Sequence, residues 1–152
     1  MGRVRSILVR LARGGGPTRT GGAPAGDGVR IVYAPDRDGD PDPGEVVWAW
    51  VPYEDDPAQG KDRPVLVIGY DGRGGRLVAV PLSSQDPAHK RDAGEWVPVG
   101  AGSWDRERRE SFANADRVLR YAPGEVRREG AALPRDRFDA VVAMARALGR
   151  IR

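Results

Sequence analysis

Between Glu45 and Leu82 the apolar residues come in three short runs, EVVWAWV, PVLVIG and RLVAVPL, and each runs into a proline or a glycine. Runs this short make strands, because an amphipathic helix needs about ten residues or more to bury a stripe. In the first run, alternation puts Val46, Trp48 and Trp50 on one face and Val47, Ala49 and Val51 on the other, until Pro52 stops it. The second run is apolar throughout, as expected of a strand covered on both faces. A turn at YDGRGG leads into the third.

EWVPVG and DRVLRY read as further strands, giving about five between Glu45 and Tyr121, most readily closed as a small barrel. With 21 glycines and 13 prolines, the chain favours short strands and turns over a helical bundle. One helix is well signalled near the end, in LPRDRFDAVVAMARAL. Pro134 suits its first turn, Asp136 and Asp139 lie near its positive end, and Arg146 and Arg150 near its negative end. Phe138, Val141, Val142, Ala145 and Leu148 form one apolar stripe, which is expected to dock on the barrel.

A length of 152 residues suits one domain plus tails. At that size folding buries roughly 68–70% of the chain's surface, so no disulfide scaffold is required. There is no cysteine, which removes thiol catalysis, zinc–thiolate sites and iron–sulfur ligation, and suits a reducing compartment. His89 is the sole histidine, so a two-histidine metal or acid/base site is excluded too.

The formal charge is +3, unevenly spread: residues 1–30 hold six arginines against Asp27, leaving 19 basic against 21 acidic residues elsewhere. Any nucleic-acid site on the body must therefore be a local patch. Residues 1–43 read as a basic, disordered leader followed by an acidic linker, and residues 44–150 as the folded domain. Two other readings of the leader stand: an amphipathic helix carrying Val4, Ile7, Leu8 and Leu11, and a misplaced start codon. Its apolar run, Ser6 to Val9, is too short for a membrane span or signal peptide. PDRDGDPDPG, with four aspartates, fails the EF-hand pattern, having prolines among the ligand positions and no glutamate at the twelfth.

In order along the chain, PGEVVWAWVPY, GKDRPVLVIG, VAVPLSSQD, SFANADRVLRY and EGAALPRDRFDAVVAMARAL resemble the MazF/PemK family of toxins, in its actinobacterial form. The resemblance covers about Asp42 to Leu148, and GKDRP followed by the apolar run is its sharpest part. It implies a mainly β fold with a C-terminal helix, an SH3-like barrel that forms a homodimer. It also implies a cytoplasmic endoribonuclease of a type II toxin-antitoxin system that cuts single-stranded RNA, with no metal and no cofactor. The partners it implies are the RNA and a cognate antitoxin, with DNA bound through the antitoxin complex.

On this resemblance Arg63 and Ser83 match the family's catalytic arginine and threonine. The chemistry suits them: attack of a ribose 2′-hydroxyl on phosphorus builds charge on the non-bridging oxygens, which a fixed guanidinium stabilises and a hydroxyl can bond. Pro64 stiffens the backbone beside Arg63. Ser84, Lys61, Lys90 and Arg91 are the candidate phosphate contacts, and Trp104, in the polar stretch GAGSWDRERRE, a candidate stacking platform, as is Trp96. Each has a plainer reading. Arg63 pairs with Asp62 or Glu54 at the surface, Ser83 and Ser84 shape a turn, Trp48 and Trp50 belong to the core, and His89 is a bystander rather than a proton donor. The alternative function is a catalytically silent barrel that binds RNA or a peptide in the same groove.

Overall fold

The computed structural model describes residues 28–36, 40–72, 75–127 and 131–152. Among these residues eight strands run in order: β1 (Val29–Ile31), β2 (Val46–Pro52), β3 (Gly60–Asp71), β4 (Leu77–Ser83), β5 (Trp96–Gly100), β6 (Ser111–Asn114), β7 (Leu119–Tyr121) and β8 (Val126–Arg127). Among the described residues one α-helix, α1 (Arg135–Ala147), follows. All pairings are antiparallel, in the order β5-β6-β4-β3-β2-β8, with β1 on β3 and β7 on β4.

The two long central strands each take two outer partners. Strand β3 pairs through Gly60–Leu66 with β2 and through Gly69–Asp71 with β1, while β4 pairs through Leu77–Ala79 with β7 and through Leu82–Ser83 with β6. Gly69 stands where β3 changes partner, beside a register irregularity at Val67/Gly69. A Cβ there would lie 2.1 Å from the Arg30 carbonyl oxygen, so only glycine lets β1 approach. The sheet coils in the SH3-like manner, but its end strands β5 and β8 do not pair among the described residues, so the expected closed barrel is an open, coiled sheet.

Alternation along β2 and β3 builds two cores. Val47, Ala49, Val51, Val65 and Val67 face one cluster with Leu77, Ala79 and Tyr121. Val46, Leu66 and Ile68 face the other, with Leu133, Phe138, Val141, Val142 and Ala145 of the helix region. Strand β3 is thus covered on both sides, as its unbroken apolar run implied, and the helix docks by its expected stripe. Burying a side chain such as Phe138 contributes about 1.5–3 kcal/mol.

The body begins earlier than residue 44. Strand β1 lies on β3, the Tyr33 ring packs edge-on against Phe138 at 5.0 Å, and its hydroxyl donates to the Leu133 carbonyl at 2.7 Å. Glu45 caps the acidic stretch, accepting from the Asp36 and Asp42 amides at 3.0 and 3.1 Å. The rest of the leader, residues 1–27, with its candidate amphipathic helix, lies outside the described residues.

Candidate functional site

The ladder between β3 and β4 ends at Val65↔Pro81. Pro64 and Pro81, neither with an N–H to donate, stand at that end. Extending the register two residues sets Arg63 opposite Ser83, but there each strand bonds only its outer partner, Arg63 opposite Ala49 of β2 and Ser83 opposite Phe112 of β6. The fork is a groove with two hollows, of about 220 and 260 Å³. Arg63, Leu82, Ser83 and Gln85 line both, forming the wall between them.

Arg63 therefore belongs to strand β3. Its guanidinium is half-buried and has no ion-pair or hydrogen-bond partner among the described residues. The surface ion pair weighed for it goes elsewhere: Asp62 Oδ2 lies 3.2 Å from Arg127 Nη1. Ser83 Oγ accepts from the Gln85 amide at 3.1 Å, which fixes the hydroxyl and leaves its proton free to donate into the groove.

The first hollow adds Trp48, Lys61, Ser84, Asp105, Arg109 and Ser111. Asp105 is a buried carboxylate that accepts from Arg109 Nε at 2.8 Å and Nη2 at 3.2 Å, and from the Glu107 and Arg109 amides, each at 3.1 Å. The bond from Arg109 is the main cause that holds the Asp105 carboxyl below its ordinary value, against the opposing effect of burial. Arg109 is thereby held with a defined aim. The second hollow adds Tyr53, Lys90, Trp96, Asn114 and Arg117, with Glu54 and Asp55. Beneath, Tyr121 donates to the Trp50 carbonyl at 2.7 Å, and burial pushes its phenol up to about 12, so it stays neutral.

The structure brings Lys61, Arg63, Ser83 and Ser84 together in the first hollow and Lys90 into the second, where its ammonium sits 5.5 Å from the Trp96 ring centre. Arg91 and His89 are exposed and line neither hollow. Trp104 is corrected: at 4% exposure it is a core residue and offers no open face. Its Nε1 donates to Ser111 Oγ at 2.9 Å, and its ring fills the space a Cβ on Gly102 would need. Trp96 is half-buried against the second hollow, and Trp50, read as core, is 51% exposed.

Asp105, Arg109, Asn114 and Arg117 line the groove and were not picked out. The i,i+4 spacing of Asp105 and Arg109 in DRERRE was the one signal available for that pair, and ordinarily it marks only a solvated face. Among the described residues no group of three or more histidine or acidic side chains is placed to hold a metal ion.

Three of the solved structures that share this fold illustrate it. They are MazF (form I) from Deinococcus radiodurans, with a TM-score of 0.57, 23% identity, 75% of this chain and 100% of that chain covered, and two MazE–MazF structures from the same organism. Form II of the latter has a TM-score of 0.53, 24% identity and coverage of 76% and 100%; form III has 0.51, 21%, and 74% and 98%. No curated protein matches the sequence. Residues 42–148 match the model of the PemK-like, MazF-like toxins of type II toxin-antitoxin systems, and the chain belongs to that family.

Proposed function

We propose that the chain is a metal- and cofactor-independent endoribonuclease toxin that cleaves single-stranded RNA at the fork between β3 and β4. The observation that carries this reading is the guanidinium of Arg63, without an ion-pair or hydrogen-bond partner among the described residues, on the wall that it shares with Ser83 between the two hollows. An arginine without a carboxylate partner is poised for an anion from outside the protein. Lys61, Arg109, Lys90 and Arg117 add cations along the groove, interleaved with the carboxylates of Asp62, Asp105, Glu54 and Asp55.

In the reaction the ribose 2′-oxygen bonds to phosphorus, the bond to the 5′-oxygen breaks, and a 2′,3′-cyclic phosphate and a 5′-hydroxyl result. Charge peaks on the non-bridging oxygens, where Arg63 and the Ser83 hydroxyl donate, with Ser84 as a neighbouring donor. Arginine keeps its proton, so water takes up the 2′ proton and supplies the one the 5′-oxygen gains, and rate comes from positioning and charge stabilisation. Lys61 and Lys90 hold flanking phosphates, and Arg91 guides the strand from outside the hollows. A cognate antitoxin blocks the groove, as the MazE–MazF pairing of the structural neighbours suggests, and the complex binds DNA through the antitoxin. The working state is a homodimer in the cytoplasm; no helix among the described residues is long and apolar enough to cross a membrane.

End-labelled single-stranded RNA incubated with the purified chain in EDTA tests the reaction. Fragments ending in a 2′,3′-cyclic phosphate are expected, with 2′-deoxy substrate left intact. Cleavage of all-DNA, or a strict magnesium requirement, overturns the mechanism.

A further inference from the structure

The second hollow is furnished differently from a phosphate site. Its volume of about 260 Å³ falls just below the roughly 300–1,000 Å³ of pockets for drug-sized ligands, which suits one planar ring system. Tyr53 and Trp96 supply aromatic surface, and Asn114 and Arg117 supply planar hydrogen-bonding edges. These residues sit one wall away from Arg63 and Ser83, where the proposed reaction places the scissile phosphate.

The hydrogen bonds already made fix which atoms remain. Asn114, 7% exposed, accepts at Oδ1 from the Asp116 amide at 3.2 Å. A backbone N–H requires an acceptor, so the amide orientation is set and Nδ2 is left with no acceptor among the described residues. Arg117 is held by its Nη2 bond to the Pro52 carbonyl, and a guanidinium can only donate. Trp96 Nε1 is buried without an acceptor among the described residues. Among the buried and half-buried polar side chains of the hollow, Asn114 and Arg117 therefore present donors, whereas the lining carboxylates, Glu54 and Asp55, are exposed to solvent.

We propose that this hollow is a nucleobase pocket that selects a keto base, uracil or guanine, at a nucleotide beside the scissile phosphate, with Asn114 as a specificity-determining residue. Uracil O4 and guanine O6 accept hydrogen bonds; cytosine and adenine carry an amino donor at the same position. A donor facing donors leaves buried polar groups unpaired on both sides, which is how such a site rejects the wrong base. The expected discrimination is about 5- to 150-fold.

The proposal rests on the RNA-cleaving reading of the groove, but its test requires no cleavage. Full-length protein is titrated with fluorescent 2′-O-methyl heptanucleotides of uridine, adenosine and cytidine, which cannot react and occupy the pocket in any register. Oligouridine is expected to bind more tightly than either of the others by the factor given. Asn114→Asp keeps the acceptor for the Asp116 amide and replaces the donor by an acceptor. It lowers all affinities through its charge, but it should cut the uridine-to-cytidine ratio by about fivefold or more. Equal affinity for the three oligonucleotides, or an unchanged ratio in a variant that melts like the wild type, overturns the pocket assignment. Should the EDTA cleavage assay fail while the uridine preference holds, the catalytic reading falls and the base pocket stands.

Discussion

Asp62 lies 3.2 Å from Arg127, reaching across from β3 to β8 over the intervening strand β2. This carboxylate follows a glycine-lysine pair and precedes Arg63, yet it pairs with a different arginine and leaves Arg63 without a carboxylate partner among the described residues. Both members of the pair are 49% exposed at their side chains.

Arg127→Ala should therefore cost about 0–1 kcal/mol of stability, the usual worth of an exposed pair, and leave RNA cleavage unchanged. Urea melts and initial cleavage rates on the same preparation check it. A large loss of cleavage would mean that the pair shapes the groove.

The Asp105–Arg109 contact gives the groove wall an acid-sensitive element. Because the Asp105 carboxyl is held below its ordinary value of 3.8, its contribution is complete above that pH and is lost as pH falls through its lowered folded-state value. Melting temperature of the wild type should fall more steeply below about pH 4 than that of Asp105→Asn, and the gap between them should narrow in acid. Parallel curves across that range would show that the contact adds nothing to stability.

The helix is held chiefly by its apolar stripe. Phe138 is 2% exposed, and its ring also receives Tyr33, so Phe138→Ala should destabilise by about 3–5 kcal/mol in urea. A loss below about 1 kcal/mol would mean the helix is not integral to the core.

Periodicity made the cores of β2, β3 and β4 and the stripe of α1 readable, since those elements are long enough to repeat. Arg63 and Ser83 were reached by resemblance, and their register across the fork became visible only in the fold. Strands β1 and β6, of three and four residues, are too short to carry a period, and polar Gly60–Arg63 joins β3 because Ala49–Pro52 pairs with it. Trp104 misled because its polar neighbours say nothing about the Ser111 acceptor and the space at Gly102 that let an indole be buried. Closure failed as an expectation because strand count alone does not say whether the last strand meets the first. Asn114 and Arg117 lie in SFANADRVLRY, which entered the resemblance as a stretch and assigned neither a role; only the approach of β4 to β6 puts them beside Ser83.

The central claim is that Arg63 stabilises charge in the transition state, and single-turnover cleavage of single-stranded RNA by Arg63→Ala tests it most directly. The account predicts a fall of about 100- to 1,000-fold, with little recovery in Arg63→Lys because a point charge does not reproduce a planar fork, and melting within about 1 kcal/mol of the wild type. Cleavage by a folded Arg63→Ala protein at the wild-type rate would contradict it.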